Sequence, residues 1–195
     1  MSPLEVKTNY DINNIAVFCG SRAGNDPAFA KDSNTLGHLL AENNIHIVYG
    51  GGSKGLMGAV ADAALNSGGR VTGVIPRLLT EWEQQHHGLS ELIIVEDMHI
   101  RKKMMYEKAD AAIILPGGFG TLDEFFEMLT WNNLNIHNKP IFLLNTNQFY
   151  VHLMAHIKQM YKEGFLYAPP EERLIVLNTP ADLLNSGFVS PSNKK

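Results

Sequence analysis

The sequence predicts an α/β fold: a single domain on a mostly parallel sheet of about seven strands, with helices on both faces. Three observations carry that prediction. Short, continuously apolar runs recur along the chain, such as Ile-Ala-Val-Phe-Cys at 15–19. Continuous rather than alternating apolarity marks strands covered on both faces. Helix-periodic stretches separate these runs, and such alternation implies parallel pairing. Glycine- or serine-bearing turns also follow several of the runs: Gly20-Ser21-Arg22, Gly50-Gly51-Gly52 and Gly117 to Thr121.

The elements follow in order. Residues 1–13 read as a flexible polar arm, and 15–19 is the first strand. A helix over 27–43 carries Pro27 in its first turn, where a missing N–H does no harm. Strand 45–49 runs into the glycine turn at 50–55, then a helix over 56–66 that Ser67-Gly68-Gly69 ends. A third strand, 71–75, is closed by Pro76. Residues 77–90 read as irregular and hold Glu81, Trp82, Glu83, His86 and His87. Strand 92–95 is the fourth, and Asp97 is the N-cap of a helix reaching about residue 108. The fifth strand, 111–115, enters the stretch Leu115-Pro116-Gly117-Gly118-Phe119-Gly120-Thr121-Leu122-Asp123-Glu124, and a helix with Phe125, Phe126, Met128 and Leu129 follows. A sixth strand at 141–144, a helix over 149–163 stopped by Gly164, a seventh strand at 174–177 and a short helix from Thr179-Pro180 complete the domain. It occupies 14–188, with 189–195 a second flexible terminus. Strands alternating with helices on one mostly parallel sheet make it Rossmann-like, and ligands of such sheets bind beyond the carboxyl ends of the strands.

Composition narrows the classes. At 195 residues and 45% hydrophobic, the chain fits one domain with a sizeable core. A net charge of -4 and a pI near 6.0 argue against a nucleic-acid partner. The single Cys19 excludes an internal disulfide and points to a reducing, cytoplasmic setting. No apolar run approaches the roughly 18 residues of a membrane span, so no membrane association is expected.

The stretch 115–124 supports two local readings. Glycines let backbone N–H groups approach a ligand, and the unpaired N–H groups of a helix start favour an anion. Alternatively, Thr121-x-x-Glu124 has the spacing of a capping box. Convergence of three such turns at one sheet edge favours a ligand. The turn at 50–55 fits neither nucleotide fingerprint cleanly: Gly55 stands where a P-loop needs Ser or Thr, and no acidic residue follows at the ribose position of a dinucleotide site. A single phosphate, as in a mononucleotide, suits a compact turn better. Arg101 and Lys102 sit near a helix start at the same edge, and arginine offers a planar fork for phosphate or carboxylate. Lys103 reads as a solvated surface residue. Adjacent His86 and His87 diverge and lack a carboxylate or cysteine cluster, so no metal site is assigned.

Pro116-Gly117-Gly118-Phe119-Gly120-Thr121-Leu122-Asp123-Glu124 resembles the Pro-Gly-Gly-x-Gly-Thr-x-x-Glu signature of the Lonely Guy family of cytokinin riboside 5'-monophosphate phosphoribohydrolases, long labelled lysine decarboxylases. Met98-His99-Ile100-Arg101-Lys102 resembles that family's Met-His-x-Arg-Lys motif. Gly50-Gly51-Gly52, Gly55-Leu56-Met57-Gly58, Val74-Ile75-Pro76, Thr130-Trp131 and His137-x-Lys139-Pro140 also match in order, over roughly residues 14 to 185.

The resemblance implies roles residue by residue. Gly117, Gly118, Gly120 and Thr121 would hold a 5'-phosphate, Glu124 would be the catalytic carboxylate and Arg101 the catalytic arginine. Lys102, Asp123 and Glu83 correspond to positions near the nucleotide, with Ser21 and Met98 as further pocket lining. The implied reaction is hydrolysis of the N-glycosidic bond of an adenosine 5'-monophosphate, N6-modified or not, to free base and ribose 5-phosphate. AMP is the simplest such substrate, no metal or organic cofactor is called for, and a homodimer or larger homo-oligomer is expected. Trp131-Asn132-Asn133-Leu134-Asn135 departs from the plant-like Trp-x-Gln-Leu-Gly, and 78–89 differs too. These departures bear on the preferred base or the dimer contact more than on the reaction. Two rival readings remain: a non-catalytic nucleotide or molybdenum-cofactor carrier on the same fold, and a dinucleotide-dependent oxidoreductase.

Overall fold

The computed structural model describes residues 12–80 and 85–189. Its strands are β1 (Asn14–Phe18), β2 (His46–Tyr49), β3 (Val71–Pro76), β4 (Glu91–Val95), β5 (Ala111–Ile114), β6 (Ile141–Leu144) and β7 (Ile175–Leu177). Between them lie α1 (Pro27–Glu42), α2 (Gly55–Asn66), α3 (Met98–Lys108), α4 (Phe119–Asn133), α5 (Val151–Lys162) and α6 (Asp182–Asn185). The sheet order is β4-β3-β2-β1-β5-β6-β7, and every ladder is parallel. The order reverses between β1 and β5, so a crevice opens where their following loops diverge.

Strand apolarity is continuous because both faces are covered. In β1, Ile15 and Val17 join the cluster under α1 and α2 with Leu36, Leu40, Leu56 and Val60. Ala16 and Phe18 face the other way, among Met105 of α3, Phe125 and Met128 of α4 and Ile157 of α5. Adjacent residues therefore point to opposite layers, the period of two that a pleated strand imposes. Ile12 and Val189, assigned to the flexible termini, are instead buried in the first layer. Residues 1–11 and 190–195 lie outside the described residues.

Helix starts follow local chemistry at α1 and α3, the second at the predicted cap. Asp26 caps α1 through Ala28 N–H at 2.9 Å, and Asp97 caps α3 through Ile100 N–H at 2.8 Å. The capping box that Thr121-x-x-Glu124 offered as the alternative reading does not cap α4. Gly118 is the N-cap of α4, which begins at Phe119, so Thr121 is already the third helical residue. The Phe119-Gly120 pair extends the helix back into the turn because glycine tolerates the first turn.

The departure at 131–135 lies at the far end of α4. Asn132 is buried, donating to the Lys139 carbonyl at 3.0 Å and accepting from Arg173 at 2.9 Å. Asn135 adopts φ +57°, a left-handed position that asparagine tolerates and the plant-like pattern fills with glycine. This change preserves the helix exit, some fifteen residues from the glycine turn.

Nearby, Lys139 N–H donates to His137 Nδ1 at 3.1 Å. Burial, and after it the Lys139 ammonium, push the His137 pKa down from 6.5 to about 4. The folded state therefore binds fewer protons than the unfolded chain between pH 6.5 and 4, and stability falls as pH drops through that window. Urea midpoints measured across this range should decline more steeply for the wild type than for His137→Gln.

Candidate active site

Three loops meet at the carboxyl ends of β1, β2 and β5. Gly20 N–H donates to the Pro116 carbonyl at 3.0 Å, and Leu56 N–H donates to the Gly20 carbonyl at 3.1 Å. The loops after β1 and β5 and the start of α2 are thus tied into one rim. Beneath it the buried Tyr150 hydroxyl donates to the Leu115 carbonyl at 2.7 Å, and burial raises its pKa, keeping it a donor.

The glycines of 117–120 are not equivalent. A Cβ on Gly117 would strike the Thr121 side chain and come within 3.0 Å of the Gly20 nitrogen, so the protein itself forbids one. Around Gly118 and Gly120 a Cβ would meet nothing within 4 Å, and neither has positive φ. Packing does not require glycine there, and the space beside the backbone is open. The first intrahelical bond of α4 runs from Leu122 N–H to the Gly118 carbonyl at 3.1 Å. The N–H groups ahead of it form the ordinary donor cluster of a helix start, which attracts anions.

Arg101 and Glu124 lie beside this turn, on α3 and α4. Both are buried, at 6% and 8% exposure, and Arg101 Nη1 stands 3.5 Å from Glu124 Oε1. Arg101 Nε donates to the Val74 carbonyl of β3 at 3.1 Å, and Nη1 approaches the Met98 sulfur at 3.8 Å. Its other terminal nitrogen fills the space where a Gly50 Cβ would be. Gly50 was legible in the sequence only as a turn glycine; its function as the seat of Arg101 was not.

A second ion-pair group links the same helices. Lys102 Nζ lies 2.9 Å from Asp123 and 3.3 Å from Glu127. Burial alone would lower the Lys102 ammonium, but the hydrogen bonds it donates to Asp123 and Glu127 outweigh it and raise the pKa. Lys102 and Asp123 were expected near the nucleotide; here they meet each other. Ser21 lies on the opposite rim, lining a cleft of about 270 Å³ with Arg22, Phe29, Phe149, Gly117 and Gly118. Met98 is half-exposed at the head of α3. Glu83 and Trp82 lie outside the described residues.

Two other candidates find structural employment. His86 Nε2 pairs with Asp62 at 2.9 Å and Nδ1 accepts from Gly88 N–H at 3.0 Å, so both ring nitrogens are engaged. Lys54 is exposed at the N-cap of α2, outside any apolar pocket that would activate its amine.

Fold and site together define a Rossmann-like protein with an anion-directed glycine turn beside a buried Arg–Glu pair. The chain belongs to the Lonely Guy family: residues 57–186 match the family model described as "Possible lysine decarboxylase". It is 47% identical over 163 residues to a cytokinin riboside 5'-monophosphate phosphoribohydrolase of Rhodococcoides fascians, covering 83% of this chain and 82% of that protein. A phosphoribohydrolase of the same name from Arabidopsis thaliana is 42% identical over 178 residues, covering 91% and 82%. Among solved structures, the molybdenum cofactor binding protein of Rippkaea orientalis superposes with TM-score 0.66 at 20% identity, covering 91% and 94%. The Moco carrier protein of Chlamydomonas rheinhardtii gives 0.67 at 18%, covering 89% and 93%. At those identities the structural likeness speaks for the fold alone.

Gly50→Ala should crowd the Arg101 guanidinium and cost about 1–3 kcal/mol of fit, with a fall in turnover. In an Arg101→Ala background the same change should cost far less, and a double-mutant cycle in kcat/KM measures that coupling. For the turn, Gly118→Ala should leave the melting temperature unchanged while weakening substrate binding, whereas Gly117→Ala should lower the melting temperature; thermal denaturation with KM measurements separates the two.

Proposed function

We propose that this protein hydrolyses the N-glycosidic bond of an adenosine 5'-monophosphate, N6-modified or not, releasing the free base and ribose 5-phosphate. The observation that carries the reading is the buried Arg101–Glu124 pair set against a glycine turn open at Gly118 and Gly120, in a chain whose curated relatives bear the phosphoribohydrolase name. The turn and the α4 N-terminus receive the 5'-phosphate, with Thr121 shaping the turn from behind.

Bond cleavage leaves positive charge on the ribose, as in glycoside hydrolysis. A buried carboxylate at Glu124 stabilises that charge, or positions the water that adds to C1', far more strongly than a solvated one. The water oxygen bonds to C1', the C1'–N bond breaks toward the base, and the base departs with a proton. A guanidinium is no general acid; Arg101 orients Glu124 and the sugar phosphate. Lys102 and Asp123, paired across α3 and α4, hold the two helices that carry the reacting groups. Glu83 and Met98 are proposed as substrate contacts from their motif positions.

A decarboxylase reading finds little support, because the buried cation of the site is an arginine and forms no Schiff base. The carrier reading is disfavoured by the same pair: binding alone does not call for a buried carboxylate beside a phosphate turn. We further infer a homodimer, supported by apolar side chains exposed at the heads of α3 (Met98, Ile100) and α4 (Phe119). A cytoplasmic location accords with the buried free Cys19; among the described residues no helix is long and apolar enough to cross a membrane.

Incubation with AMP and with N6-isopentenyl-AMP, followed by chromatography, should yield free base and ribose 5-phosphate. Glu124→Gln should lower kcat by about a hundredfold or more while circular dichroism stays native. Tight nucleotide binding without any product would instead establish a carrier.

A further inference from the structure

The charges beside the glycine turn do not suit a phosphate dianion. Arg101 and Lys102 supply two positive charges, and Glu124, Asp123 and Glu127, each within 4 Å of one of them, supply three negative ones. The α4 N-terminus contributes only about half a positive charge. A substrate bearing two negative charges therefore approaches a cluster that is itself slightly negative, and a further cation is needed.

The geometry points to Arg22 as that cation: Arg22, with the Ser21 hydroxyl, forms the second wall of the phosphate site and selects 5'-monophosphates over uncharged nucleosides. This rests on the proposed phosphoribohydrolase reading. Both residues line the cleft that Gly117 and Gly118 close from the other side. Both are exposed, and among the described residues neither has a hydrogen-bond or ion-pair partner. Lys54 and Arg77, exposed cations of the same edge, are not among the cleft's lining residues.

The cleft is braced. Asn147 donates to Asp26 at 2.7 Å and Thr146 donates to Asp32 at 2.6 Å, tying the loop after β6 to α1. Phe29 and Phe149 meet edge to face at 5.5 Å. Asp26, the nearest carboxylate in the loop, is committed to Ala28 N–H and Asn147 and does not compete for Arg22. The low-dielectric aromatic wall strengthens an arginine–phosphate contact, and the guanidinium fork matches two phosphate oxygens.

The test compares wild type with Arg22→Ala and Arg22→Lys. For Arg22→Ala, KM for AMP and the inhibition constant of inorganic phosphate should each rise about tenfold or more. Its kcat, its melting temperature and its residual cleavage of adenosine should stay at wild-type values. Arg22→Lys should recover part of the loss, because the charge returns without the fork. Unchanged phosphate inhibition in Arg22→Ala would overturn the assignment. Should wild-type protein cleave no nucleotide, the phosphoribohydrolase reading fails separately, and calorimetric titration of inorganic phosphate into both proteins still decides the place of Arg22.

Discussion

The site depends on one constraint: a guanidinium and a carboxylate that must be buried together. Arg101 touches the end of β2 through Gly50, β3 through the Val74 carbonyl and α4 through Glu124. Its backbone is placed by the Asp97 cap, whose carbonyl also accepts the Arg101 N–H at 3.1 Å. Stripping water from either charge alone is costly, and removing one partner of such a pair costs about 3–5 kcal/mol. The pair is therefore kept, and keeping it fixes α3 against α4. Because α4 begins in the glycine turn, the same contact sets where that turn lies relative to the buried carboxylate. Lys102, Asp123 and Glu127 repeat the link one residue further along.

Glycine serves two opposed purposes here. At Gly50 and Gly117 the protein fills the space that a side chain would need, with Arg101 in one case and Thr121 in the other. At Gly118 and Gly120 it leaves the space empty. The first pair makes the site rigid and the second makes it accessible. Phe119 between them is 93% exposed, a poor position for a large apolar ring in an isolated monomer. Its exposure beside the open glycines is consistent with contact to a ligand or to a second subunit.

Much of this was legible in the sequence. Continuous apolar strands, the Asp97 cap and the order of elements all appear in the structure, because each depends on local pattern. Arg101 and Glu124 were singled out and do meet, although they are 23 positions apart. The alternative capping-box reading fails for a local reason: Phe119 and Gly120 enter the helix before Thr121, so the threonine lies too deep to cap it. What the sequence hid were relations across the fold. Nothing in Gly50 announces a buried arginine, and nothing in Lys102 and Asp123 distinguishes a substrate contact from a clamp. Arg22 stood in a turn already marked as a ligand candidate, but its value emerges only once the other cations are seen to be occupied.

The reversal of strand order between β1 and β5 explains why one small ligand can use both sides of the sheet. The Arg101–Glu124 pair belongs to the layer of α3 and α4, whereas Ser21 and Arg22 lead into α1 in the opposite layer. Only at the crevice do the layers share a border, and there Gly20 and Gly117 approach so closely that each backbone is the other's wall. The crevice is thus bordered by elements with separate cores, the clusters around Leu40 and Val60 and around Met105 and Phe125. The Gly20–Pro116 bridge joins the two layers at that border.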